Sequence, residues 1–75
     1  MEVTYQTQAL VLKKQPWLEN DCRVVFYTRD FGKVSLLARG ARKLNSKLSA
    51  HLEPFNFVDL MIIKGRQTDY VGSSL

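Results

Sequence analysis

Cys22-Arg23-Val24-Val25-Phe26-Tyr27-Thr28-Arg29-Asp30-Phe31-Gly32-Lys33-Val34-Ser35-Leu36-Leu37-Ala38-Arg39 reads as two strands and a reversal. Residues 22–29 are rich in β-branched and aromatic side chains, which suit a pleated, half-buried surface. Asp30-Phe31-Gly32 is too short for anything but a tight turn, and residues 33–39 form the returning strand. A connection of that length makes the pair an antiparallel hairpin. Alternation puts Val24, Phe26, Val34, Leu36 and Ala38 on the core side. The outer face then carries Arg23, Arg29, Lys33 and Arg39 around Tyr27.

Downstream of the hairpin the period changes. Ala41, Leu44, Leu48 and Leu52 recur at helical spacing, which predicts a short helix of one or two turns within 41–52. Asn45 and Ser46 weaken it, and Pro54 ends it by pushing the preceding residue out of the α region. Residues 55–64 return to β. Phe55, Phe57, Asp59, Met61 and Ile63 share one face; Asn56, Val58, Leu60 and Ile62 share the other. Both faces are largely apolar, which predicts a central or strongly curved strand with Phe55, Phe57, Met61 and Ile63 in the core. Lys64-Gly65-Arg66 is a turn, and residues 67–73 form the fifth strand. Upstream, residues 5–14 read as the first strand, and 15–21 as a loop opened by Pro16 and closed by Asn20-Asp21.

Three strands, a short helical connection and two more strands is the order of an OB-fold, an all-β five-stranded barrel. An SH3-like barrel lacks a helix of this length there, and β-grasp and ferredoxin-like folds need a longer one. Closure also suits a chain of 75 residues, because it removes exposed edges where little core is available. The expectation is a single OB domain over residues 1–75.

Composition narrows the function. Apolar residues at 45% and charged residues at 24% are those of an ordinary globule. No apolar run approaches the roughly 18 residues that a membrane helix needs, and Met1-Glu2-Val3-Thr4 does not open a secretory signal. One cysteine, Cys22, permits no internal disulfide, so a reducing cytoplasm is the expected compartment. Cys22 itself reads as a small buried residue. His51 stands alone without a second ligand pair and reads as packed or hydrogen-bonded; no metal or cofactor is expected. No P-loop, dinucleotide fingerprint or paired carboxylates appear, so no enzyme is expected.

The net charge is +4, and its placement is uneven. Between Phe31 and Leu52 lie Lys33, Arg39, Arg42, Lys43 and Lys47 with no Asp or Glu; all seven acids fall outside that window. Such a block attracts polyanions, although a solvated basic face would have the same composition.

Tyr27-Thr28-Arg29-Asp30-Phe31-Gly32-Lys33, followed by Ala38-Arg39-Gly40-Ala41-Arg42-Lys43, Ser46-Lys47-Leu48 and His51-Leu52-Glu53-Pro54-Phe55, resembles the N-terminal domain of the bacterial recombination mediator RecO. Thr7-Gln8-Ala9-Leu10-Val11-Leu12 fits the same family. No single piece is a strong motif; the ordered set is the specific signal. The resemblance implies an OB-fold that binds single- and double-stranded DNA. It implies strand annealing and support of recombinase loading, with RecR and single-strand-binding protein as partners. The setting would be the bacterial cytoplasm, at the nucleoid. Family members carry a longer, mostly helical C-terminal part, sometimes with cysteine-ligated zinc, so the resemblance implies that residues 1–75 are the N-terminal fragment of a longer protein.

OB-folds bind oligonucleotides on strands two and three and on the loops after strands one and four. On that footing the expected nucleic-acid contacts are Arg23, Tyr27, Arg29, Lys33, Arg39, Arg42, Lys43, Lys47, Lys64 and Arg66. Tyr27 supplies stacking, and the cations track phosphates. Basic residues at the start of the expected helix oppose its dipole, which argues against a purely structural role for Arg42 and Lys43. Trp17, in the first loop, reads more readily as packing than as stacking. One rival is a protein-interaction module docking on RecR or an acidic tail. Another is an RNA-binding OB domain of the translation apparatus.

Overall fold

The structure, a computed structural model, describes residues 3–42 and 48–74. Five strands, β1 (Val3–Trp17), β2 (Asp21–Thr28), β3 (Gly32–Ala38), β4 (Phe57–Lys64) and β5 (Tyr70–Ser74), close in the order β1-β2-β3-β5-β4. This is the OB-fold barrel expected from the element order. β1 is the common wall. Its residues 3–10 pair with β4 and its residues 9–17 with β2, both antiparallel. A bulge between Val11 and Lys13 bends it between the two partners. Closure is completed by a short parallel contact, Leu37 beside Tyr70, where the Leu37 N–H donates to the Asp69 carbonyl at 2.9 Å.

The hairpin forms as its alternation requires. Val24, Phe26, Leu36 and Ala38 are buried, and Val34 packs against them half-buried. Cys22 is buried and free. The reversal is held by Thr28, whose hydroxyl accepts the Phe31 N–H at 2.9 Å and donates to the Gly32 carbonyl at 2.8 Å. Gly32 sits at φ 69, a left-handed conformation that glycine adopts without strain.

Two expectations are corrected. First, β1 does not stop at residue 14. Pro16 pairs with Cys22 and Trp17 with Asp21, so the loop shrinks to residues 18–20. Proline is tolerated because β4 pairs with β1 no further than Leu10, which leaves β1 with a partner on one side only. Second, Phe55 and Phe57 are not core: they are 78% and 77% exposed, while Met61 and Ile63 are half-buried. Val58, Leu60 and Ile62 point inward instead. Asp59 has the parity of Phe57, and an unpaired carboxylate is far costlier to bury than a phenyl ring is to expose. The short helix expected within 41–52 is present as one turn, with residues 43–47 outside the described residues. Ala41 and Arg42 form a turn, and helical bonding among the described residues is confined to the single turn α1 (Leu48–His51). Ala41 and Leu52, at the two ends of the apolar spacing, are both fully buried.

Candidate nucleic-acid interface

The outward side of the hairpin carries the expected residues in register. Tyr27 stands opposite Lys33, Val25 opposite Ser35 and Arg23 opposite Leu37. Tyr27 is 60% exposed, and Lys33 is exposed beside it. The Arg23 guanidinium lies 4.8 Å from the centre of the Trp17 ring, a cation–π contact. Trp17 therefore ends a strand rather than occupying a loop, 44% exposed, with Arg23 against it.

A second group forms where the chain leaves β3. Gly40, at φ 72, donates its N–H to the Asp21 carboxylate at 2.8 Å. The Arg42 N–H donates to the Asn20 carbonyl at 2.7 Å, and its guanidinium to the Leu18 carbonyl at 3.1 Å. These bonds pin the corner against the β1–β2 turn and hold Arg42 beside it. Arg39 is placed over the Tyr70 ring at 5.5 Å. Arg23, Arg39 and Arg42 thus surround one corner of the barrel. Each keeps guanidinium N–H groups for a phosphate, and a planar fork suits that ligand. Lys43 and Lys47 lie outside the described residues.

Two of the remaining expected cations are less available. Lys64 pairs with Asp69 at 2.8 Å, and Arg29 with Asp30 at 3.3 Å and with the Gln8 side chain at 3.5 Å. Arg66 is exposed in the β4–β5 connection. His51, expected to be packed, is exposed at the last position of α1. Among the described residues no three of His, Cys, Asp and Glu stand together as a metal site.

Asp69 also accepts the Gly65 N–H at 3.2 Å. The Lys64 hydrogen bond holds the Asp69 carboxyl below the usual carboxylate range, against the opposing effect of burial. A lowered folded pKa means that the connection is supported above the unfolded value of about 3.9 and loses that support as pH falls through the folded one. Followed by NMR, the Gly65 amide shift is expected to titrate with a midpoint below that of an unstructured aspartate. A midpoint at or above it would show that the pair does not hold the connection. The Arg29 hydrogen bond, then that of Thr7, lowers the Asp30 carboxyl in the same direction.

Lys13 was not among the expected contacts. The bulge in β1 resets the strand's alternation and places Lys13 opposite Val25, exposed on the same outward side. Nothing in the spacing of residues announces a bulge. The outward row also continues past β2: Tyr27 is opposite Leu10, and Leu10 is opposite Phe57. Asp59, sharing a face with Phe57, was the available sign that this ring faces out.

Comparison with known proteins bears on the site. A family model described as "Recombination protein O N terminal" matches residues 1–74. The DNA repair protein RecO of Cutibacterium acnes is 44% identical over 68 residues, covering 91% of this chain and 28% of that protein. The DNA repair protein RecO of Rubrobacter xylanophilus is 40% identical over 67 residues, 89% of this chain and 27% of that protein. That of Bifidobacterium longum subsp. infantis is 39% identical over 70 residues, 93% of this chain and 29% of that protein. The chain therefore spans less than a third of the length of these relatives.

Proposed function

The chain belongs to the RecO family, matching its N-terminal domain, and from that premise we propose that it is a DNA-binding OB domain without catalytic chemistry. It takes single and double strands through their phosphates. The observation that carries this reading is the outward face of β2 and β3, where an exposed Tyr27 stands beside Lys33 and an arginine-lined corner. Arginine and lysine neutralise phosphates irrespective of sequence, and an aromatic ring stacks on any base. In longer relatives such a face would serve strand annealing and recombinase loading, with RecR and single-strand-binding protein as partners. A cytoplasmic, nucleoid-associated setting goes with that role. Among the described residues no helix is long and apolar enough to cross a membrane.

The test is a salt titration of binding to labelled single- and double-stranded oligonucleotides. Four phosphate contacts predict a slope of roughly −3 in log K against log salt on single strands, at about −0.7 each, with Kd on the order of 10⁻⁴–10⁻⁶ M at physiological salt. Binding that ignores salt, or none at low salt, sinks the reading. An acidic peptide that binds more tightly than DNA would favour a protein-docking module instead.

A further inference from the structure

We propose that the DNA surface does not end at the hairpin but crosses β1 onto β4, where Tyr27, Leu10 and Phe57, with Phe55 just upstream, form a base-stacking track selective for single strands. The inference rests on the reading above and goes beyond it by naming which bases' environment is built, and from what.

The register lays out the track. Lys33, Tyr27, Leu10 and Phe57 are successive cross-strand neighbours on β3, β2, β1 and β4, and directly paired residues project to the same side of a sheet. At about 4.8 Å between strands, Tyr27 and Phe57 stand roughly 10 Å apart with Leu10 between them. Leu10, Tyr27, Phe57, Gln8, Thr28 and Arg29 line one open groove of about 460 Å³.

Folding does not account for the two phenyl rings. Phe57 is 77% exposed and Phe55 78%. Phe55 is also held at φ 72, where a side chain is strained and glycine is not. Its backbone is locked there: the Phe55 N–H donates to the Val11 carbonyl at 2.7 Å, and the Val11 N–H to the Asn56 carbonyl at 2.9 Å. A residue that would be better replaced for stability, yet presents a large apolar surface to solvent, points to a ligand.

The charges around the rings indicate which ligand. Lys33 ends the row and Lys13 stands beside Val25 on one flank; Arg29 lines the groove on the other, its charge shared with Asp30. Two nearby acids are already matched: Lys14 holds Glu53 at 2.9 Å, and Arg29 holds Asp30. Asp59, opposite Gln8, is the unfavourable neighbour and marks where a phosphate backbone would not run. Apolar rings flanked by cations fit a polymer with exposed bases and regular phosphates. A duplex keeps its bases stacked inside and offers the rings nothing, so the selectivity follows.

Phe55→Gly and Phe57→Thr separate stacking from folding, since glycine relieves the strained backbone and threonine keeps strand propensity. Binding of each variant to an oligothymidine, to an abasic oligonucleotide of equal length and to a duplex is measured at low salt, together with the thermal midpoint. Phe55→Gly should keep or raise the midpoint. Each variant should lose about fivefold or more in affinity for oligothymidine, with duplex affinity and salt slope unchanged. The abasic strand should bind the parent chain more weakly than oligothymidine, and the variants should not distinguish the two. Unchanged oligothymidine affinity in folded variants overturns the proposal and assigns the rings to another surface, while parent binding to both DNAs keeps the broader reading. An equal loss on duplex and single strand also overturns it. A parent chain that binds no DNA at all fails the broader reading itself.

Discussion

Phe26→Ala is expected to lower the thermal midpoint of this domain by more than about 10 °C. Phe26 lies mid-way along β2, fully buried, between Val11 of β1 and Val34 of β3. Among the described residues it is the largest of the fully buried side chains. Truncating a buried phenylalanine costs about 3–5 kcal/mol, from lost transfer energy and the cavity left behind. A chain of this length has a total stability of roughly 4–11 kcal/mol, at ~0.05–0.15 kcal/mol per residue. The loss is therefore between about a quarter of the total and all of it. Far-UV circular dichroism through a thermal melt reads the outcome. A cooperative transition within a few degrees of the parent would mean that the barrel collapses around the gap and that Phe26 is not central. The same truncation at exposed Phe57 should change stability by no more than about 0.5 kcal/mol, because surface substitutions away from special features rarely do more.

The second large effect concerns binding. Replacing Arg23, Arg39 and Arg42 together with alanine should lower affinity for single-stranded DNA by about 10²–10³-fold at 0.05 M salt, and flatten the salt slope by about two units. The arithmetic is three contacts at ~0.7 each, evaluated at a salt concentration twentyfold below the 1 M reference. Two of the three arginines lie against aromatic rings and one donates to a backbone carbonyl, so each is held in place rather than freely mobile. An ordered cation loses less entropy when it meets a phosphate. Circular dichroism must show that the triple variant stays folded. A folded variant with the parent's affinity and slope would place the phosphate contacts elsewhere on the barrel.

The two predictions draw on different information. Everything about the hairpin was local. Val24, Phe26, Leu36 and Ala38 share one side of the alternation, while Arg23, Tyr27, Lys33, Ser35 and Arg39 share the other with Val25 and Leu37. The turn is three residues long, and a period of two leaves one register that buries the uniformly apolar side. The strand count and order followed, and with them the barrel, because a small domain with five short strands has few other ways to bury its edges. The excess of cations between Phe31 and Leu52 is likewise a property of the sequence alone.

Tertiary structure settled what local pattern leaves open. β4 is apolar on both faces, so its parity depends on which side closes against β1 and β5; the barrel takes Val58, Leu60 and Ile62 and leaves Phe57 outside. That Ala41 and Leu52 both enter the same core also shows only in the closed barrel. Pro16 reads as a breaker until β1 is seen to lack a second neighbour there. A cation's availability is equally non-local: Lys64 is paired by Asp69, whereas Lys13 reaches the outward face through a bulge. Alternation is written residue by residue along the chain, but parity, pairing and exposure depend on contacts between residues far apart in sequence, and those exist only once the barrel has closed.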